Sequence, residues 1–317
     1  MSYTIKIKEE MSRIDSTKSE MIAELSGFVR NNAHLKNNNL YMTTENKFLI
    51  DRYAHFFECL YEIKLEKKEI GNLNFSKKPL YSLILSEKQN VILQDIGYLD
   101  QEENYLNTVP TYIVGANEEI RAYLRGVFLA VGSINDPNKS RYHMELIIVN
   151  PKEAVFVQKL LNIFELNAKI LIRNKKYMIY IEEAEKISDY LKILGANQAV
   201  LYYENARIYR DKKNQTNRLN NCEQANLDKV FKTSLEQLEQ IKIIEEKKGL
   251  ELLDDKTKQA LEYRRKYPES SLKELSEIIS VETGKTITKS GLNHRFRKIK
   301  DLSEKLKRND YNLGNQN

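Results

Sequence analysis

The 317-residue chain contains no apolar run of the roughly eighteen residues that a membrane-spanning helix needs, so none of its segments is expected to cross a bilayer. Its first ten residues lack the apolar stretch of a secretory signal, which predicts a cytoplasmic protein. Only two cysteines occur, Cys59 and Cys222, 163 positions apart. That separation matches no metal-site spacing and fits free thiols in a reducing compartment. The histidines His34, His55, His143 and His294 show no ligand spacing either. Nothing in these residues calls for a metal, a cofactor or a small-molecule substrate. Charge, by contrast, is plentiful. With 30% charged and 41% hydrophobic residues, the chain reads as a soluble protein with much solvated surface, long enough for two or three domains.

The net charge of +6 is unevenly spread. Residues 205–317 carry 25 Lys and Arg against 18 Asp and Glu, which leaves residues 1–204 at −1. Lys285–Arg308 alone holds nine basic and two acidic residues. Such a cluster suits a binder of phosphate backbone, and it also suits a solvated helix face; charge by itself leaves both readings open.

Two glycine-centred helical segments resemble each other at an offset of 99, Glu24–Ala33 and Tyr123–Gly132, with Leu25 and Gly27 aligned to Leu124 and Gly126. Each is followed by a similar series of elements. After the first come a strand at Leu40–Thr44, a helix through Phe48, Tyr53, Phe56 and Leu60, strands at Ile63–Leu65 and Leu80–Leu85, and a helix near Glu87–Asp95. After the second come a strand at Tyr142–Val149, a helix carrying Val155 to Phe164, strands at Lys169–Ile172 and Tyr177–Ile181, and a helix at Glu183–Leu194 closed by Gly195. Both halves therefore read α-β-α-β-β-α. Glycine inside a helix costs about 1 kcal/mol relative to alanine, so a packing reason is expected. The two glycine helices are predicted to pack backbone to backbone, with each half contributing strands to a concave sheet. Asp136, just beyond the second segment, reads as a turn residue.

From Glu204 to Asn226 the chain is rich in Asn and Arg and has neither Pro nor Gly. It reads as a polar linker, or as a segment whose Arg207, Arg210, Asn217 and Arg218 make secondary DNA contacts. A helical pattern resumes from Leu227 to Ile244.

Residues 252–306 carry a three-helix pattern. Helix one spans about Asp255–Tyr267 and stops at Pro268; Ser271 and Glu274 form an S-x-x-E capping box for the second helix; Thr288 or Ser290 caps the third. In that third helix Leu292, Phe296, Ile299 and Leu302 or Ser303 form the inner face. Lys289, Ser290, His294, Arg297 and Lys298, with Asn293 and Arg295 at the edges, are the candidate DNA contacts. Asn can pair bidentately with adenine and Arg with guanine in the major groove. A basic surface helix of a small bundle is the plainer alternative.

The glycine segments resemble degenerate copies of the LAGLIDADG motif of homing endonucleases. That resemblance implies a pseudo-dimer with acidic metal ligands at the positions held here by Asn32 and Val131. Mg²⁺ asks for hard oxygen ligands, which an amide supplies poorly and valine not at all, so metal-dependent hydrolysis is not expected. Ser271–Leu275, Thr288–Lys298, Glu204–Arg207, Asn217–Lys229 and Leu124–Asp136 together resemble the WhiA family of bacterial regulators over essentially the whole chain. Val131-Gly132 departs from the two glycines often found there. The resemblance implies an α+β protein: a duplicated LAGLIDADG-like pseudo-dimer, then an all-α helix-turn-helix domain similar to that of sigma factor region four. It divides the chain into halves at 1–110 and 111–204, a polar linker and connecting helix at 205–250, and a DNA-binding domain at 251–317. It further implies a nucleoid-associated, non-enzymatic regulator connected with cell division, chromosome segregation and, in sporulating filamentous bacteria, transcription activation. Double-stranded DNA is the expected partner, with RNA polymerase, a sigma factor or a co-regulator beside it. An active endonuclease and an assembly factor acting through the N-terminal domain are the competing expectations.

Overall fold

The computed structural model describes residues 2–37, 39–70, 79–247 and 249–314. The chain forms two compact units, residues 1–211 and 212–317.

The first unit opens with α1 (Tyr3–Met11), whose Tyr3, Ile7 and Met11 recur every four residues and are buried. The duplicated part follows. Its first half holds α2 (Lys18–Asn32), β1 (His34–Lys36), β2 (Asn39–Thr44), α3 (Lys47–Tyr61), β3 (Glu66–Ile70), β4 (Leu80–Leu85) and α4 (Gln89–Asp95). The second half holds α5 (Asn117–Val131), β5 (Gly132–Ile134), β6 (Met144–Ile148), α6 (Pro151–Ile163), β7 (Lys169–Arg173), β8 (Lys176–Ile181) and α7 (Ala184–Leu194). Each half makes a four-stranded antiparallel sheet with the same order, β1-β2-β4-β3 and β5-β6-β8-β7. The repeat is thus α-β-β-α-β-β-α, one strand longer per half than the sequence pattern indicated. The additional strands are three residues long and include Gly132, His34 and Lys36, which carry little strand propensity; they exist through pairing with their neighbours. The expected strand at Ile63–Leu65 begins later, at Glu66.

The helices α2 and α5 meet at their glycines. A Cβ on Gly27 would collide with the carbonyl oxygen of Tyr123, and one on Gly126 with the carbonyl oxygen of Glu24. This is the close backbone approach that the mid-helix glycines predicted. Phe28 of α2 stacks on Tyr53 of α3 with ring centroids 3.9 Å apart, joining the contact to the apolar core beneath the first sheet. Asp136 is a turn residue, as expected: its carboxylate accepts from Asn138 N at 3.0 Å.

The helix α8 (Asn197–Glu246) contains the division between the two units. Residues expected to be a polar linker are therefore continuous helix, a correction that follows from the absence of Pro and Gly there. In the second unit α8 contributes Ile241 and Ile244 to a core shared with α9 (Asp255–Lys266), α10 (Leu272–Thr283) and α11 (Lys289–Gly314). That core is filled by Ala260 and Leu261 from α9, Leu275 and Ile279 from α10, and Leu292, Phe296 and Ile299 from α11.

Candidate nucleic-acid interface

Local sequence positions α11 with respect to α10. Ser271 caps α10, accepting from Glu274 N at 3.2 Å while Glu274 Oε2 accepts from Ser271 N at 2.7 Å. These bonds hold the Glu274 carboxyl below the ordinary glutamate range. Gly284, at φ +68°, ends the helix in a left-handed conformation that costs glycine nothing. Of the two candidate caps for α11, Thr288 is the one used, its hydroxyl accepting from Gly291 N at 3.1 Å.

The apolar stripe of α11 turns inward as predicted, with Leu292, Phe296, Ile299 and Ser303 buried. The outward residues divide into two groups. Lys289, Ser290, His294 and Arg297 are exposed and Asn293 is half-buried; none of these five side chains has a hydrogen-bond or ion-pair partner among the described residues. They form one contiguous row over the first two and a half turns. Arg295 and Lys298 belong to the second group. Arg295 Nη1 donates to Lys256 O at 3.0 Å, and Lys298 Nζ pairs with Asp254 at 2.8 Å. Both residues turn toward the start of α9, where Lys298 and the Thr257 amide push the Asp254 carboxyl far below its usual value. The seven candidates are thus split, five unengaged and two attached to a neighbouring helix.

The secondary candidates divide in the same way. Arg210 is engaged: Nη1 donates to Pro137 O at 2.8 Å and Ser140 O at 2.7 Å, and its guanidinium lies 4.6 Å from the Tyr142 ring centroid. Through Nη1 it closes the turn around Asp136. Arg207 lies 3.4 Å from Glu204. Asn217 and Arg218 are exposed on α8.

At the degenerate metal positions, Asn32 is hydrogen-bonded through both ends of its amide. Its Nδ2 donates to Thr43 O and its Oδ1 accepts from Thr43 N, both at 2.8 Å. The amide therefore acts as a two-point clamp between the end of α2 and β2. A carboxylate could not make it, lacking the donor. Val131, half-buried at the end of α5, offers no donor atom.

One residue escaped the sequence reading. Arg264 of α9 is among the largest fully buried side chains. It donates from Nε to Gln237 Oε1 at 2.9 Å and from Nη1 to Ser270 O at 2.6 Å, with its guanidinium 5.5 Å from the Phe296 ring centroid. A signal existed: Thr257, Ala260, Leu261 and Arg264 follow the spacing of a single buried face.

Comparison with known proteins places this architecture. Residues 18–99 match the family model described as the WhiA N-terminal LAGLIDADG-like domain, residues 120–213 the WhiA LAGLIDADG-like domain, and residues 216–303 the WhiA C-terminal HTH domain. The chain is 37% identical, over 97% of its length and 98% of theirs, to proteins named probable cell division protein WhiA from Bacillus cereus (strain AH187) and Bacillus anthracis (strain CDC 684 / NRRL 3495). Among solved structures, full-length DUF199/WhiA from Thermatoga maritima has the same fold, with a TM-score of 0.57 and 21% identity, covering 96% of this chain and 99% of that one. No helix of the described residues is long and apolar enough to cross a membrane.

Proposed function

The chain belongs to the WhiA family, with its duplicated LAGLIDADG-like part and its C-terminal helix-turn-helix, and from that premise we propose that it is a DNA-binding regulator of cell division without nuclease activity. One observation carries the reading. Lys289, Ser290, Asn293, His294 and Arg297 stand in a single row at the start of α11, unengaged by the protein. A helix whose first turns present amide, imidazole and guanidinium donors is suited to the major groove, where Asn293 would address adenine and Arg297 guanine. The metal positions support the non-enzymatic half of the reading, because the Asn32 amide is occupied by Thr43 and Val131 has nothing to offer a cation. The repeated unit is then available for assembly with RNA polymerase, a sigma factor or a co-regulator, and the protein acts at the nucleoid through double-stranded DNA, including in transcription and chromosome segregation.

The test begins with selection of a preferred duplex from a random pool using the full chain. Its affinity is then measured against an unrelated duplex for the native protein, Arg297→Ala and Asn293→Ala. Each substitution is expected to narrow the preference by about 1–3 kcal/mol while leaving weak, salt-sensitive binding to both duplexes. An unchanged preference in both variants rejects α11 as the reader. Plasmid incubated with the protein and Mg²⁺ is expected to stay intact, and cleavage lost on substitution of one carboxylate in residues 1–204 would overturn the non-enzymatic assignment.

A further inference from the structure

The sheet of the second repeated half has two unlike edges. At one of them β5 is closed: Thr4 Oγ1 of α1 donates to Ile134 O at 2.9 Å and accepts from Ile134 N at 3.0 Å. At the other lies β7, which pairs with β8 on one side. Asn174 and Lys175, at φ +51° and +61°, make the two-residue turn between these strands, and the flanking Arg173 and Lys176 share the turn's hydrogen bond. From there bonding alternates along the antiparallel ladder. Lys169, Leu171 and Arg173 direct their backbone groups to β8, whereas Ile170 and Ile172 direct theirs away from it. The next outward position, Ala168, is already satisfied: its N–H donates to Asn162 Oδ1 at 2.8 Å, and its carbonyl accepts from Gln158 Nε2 at 2.8 Å. No such partner meets the outward N–H and C=O groups of Ile170 and Ile172 among the described residues.

The side chains of β7 fit a further strand. Leu171 is 47% exposed on the outer face, and Ile172 is 65% exposed on the opposite face. Apolar residues in water on both faces of an open edge favour pairing with another strand. Charge narrows what can pair. Lys169 and Arg173 flank Leu171 on the outer face; both are exposed, and neither has an ion pair or a side-chain hydrogen bond among the described residues. A second copy of β7 laid in register, in either direction, would set basic residues opposite basic ones at both ends. Like charges directly opposite destabilise a strand pair. The edge therefore disfavours its own kind and suits a strand whose carboxylates stand four residues apart around an apolar residue. Nor does it suit a phosphate backbone, because the outward carbonyl oxygens of Ile170 and Ile172 repel an anionic oxygen and Leu171 and Ile172 offer it nothing.

We infer that β7 is a docking edge for an extended, acidic segment of a partner protein, which joins the second sheet as a further strand. Main-chain hydrogen bonds to Ile170 and Ile172 supply the attachment, and carboxylates opposite Lys169 and Arg173 with an apolar side chain opposite Leu171 supply the choice of partner. The charge pattern of β7 reads alike in both directions, so it selects composition and not strand polarity. The inference goes beyond the reading by α11 and needs no DNA.

The full chain is titrated with three synthetic peptides: an acidic one built on Glu-Val-Leu-Val-Glu, the same peptide N-methylated at both valines, and a basic one with Lys in place of Glu. Calorimetry reads the affinity, and hydrogen exchange of the strand amides reads where the peptide sits. The acidic peptide should bind saturably and slow exchange at Ile170 and Ile172. N-methylation removes the donors to their carbonyls and should abolish both effects, and the basic peptide should bind about tenfold more weakly. The double variant Lys169→Glu, Arg173→Glu, its folding checked by thermal melting, should reverse the order of the acidic and basic peptides while leaving the base preference of the selected duplex unchanged. No slowing at the two isoleucines with the acidic peptide, binding that survives N-methylation, or the same peptide order in the native and charge-reversed chains would overturn the docking edge. Slowing of the same amides by duplex DNA would assign the row to phosphate, and slowing by self-association of the native chain would assign it to a second copy; either result refutes the acidic partner.

Discussion

Arg125 Nε donates to Glu24 Oε2 at 2.7 Å across the contact between the two glycine helices, with both side chains buried. The same carboxylate accepts from Arg52 of α3, at 2.6 Å to Nε and 2.7 Å to Nη2. One glutamate thus joins two arginines and links the two repeated halves. Substituting Glu24→Ala leaves two guanidinium groups in a dry site. Removing one partner of a buried ion pair typically costs about 3–5 kcal/mol. Urea denaturation should show a loss of that order, and a change below about 1 kcal/mol would mean that water or carbonyls satisfy the arginines without Glu24.

The glycine contact makes a separate steric prediction. In Gly27→Ala or Gly126→Ala the new methyl group has a backbone carbonyl in its place, and backbone cannot swing aside as a flexible side chain does. Overpacking costs about 1–3 kcal/mol and sometimes more. Because both methyls press on the same interface, the double variant should depart from the sum of the single ones. Unchanged thermal stability in both single variants would show that α2 and α5 separate easily.

Asn32→Asp restores an acid at one degenerate metal position, yet it places a carboxylate oxygen against Thr43 O, where the amide had donated. Leaving a half-buried acceptor unsatisfied or repelled costs up to about 1–3 kcal/mol, so the variant should be less stable above the carboxyl pKa. With Val131 unchanged it should also leave plasmid intact in Mg²⁺. Cleavage by this single variant would show that the ancestral chemistry needs less than the two-sided ligand set.

The capping box of α10 is directly testable. Ser271→Ala should destabilise the second unit by about 1 kcal/mol. The associated pH dependence follows from the depressed Glu274 pKa. Its contribution is fully present above the unfolded-state value and is lost as pH falls through the folded one. The native chain should therefore lose stability on acidification below that range faster than Glu274→Gln does; parallel curves would exclude the contribution.

Arg295→Ala and Lys298→Ala should behave differently from Arg297→Ala. Because these side chains are attached to Lys256 O and Asp254, their loss should loosen α9 against α11 and leave base preference intact. A change in preference without a change in melting temperature would return them to the reading face.

Much of this was legible in the sequence where physics acts over short range. Apolar spacing marked the inner face of α11, S-x-x-E marked the start of α10, Gly195 marked the end of α7, and mid-helix Gly27 and Gly126 announced a close contact whose partner each glycine helix supplied to the other. Helix periodicity also separated buried from outward positions on α11, because burial follows the turn angle alone. The three-residue strands were not legible, since pairing and not propensity makes them.

The amino-acid order by itself determined the repeat, the three-helix tail and the set of donors available to a ligand. Only the tertiary structure decided which of those donors are unengaged. Lys298 and Asp254 are 44 positions apart, as Arg264 and Gln237 are 27 apart, and no local rule brings such pairs together. Their meeting depends on how helices pack, and packing settles the polar partners because each charged group near the core must find a counterpart there or face water.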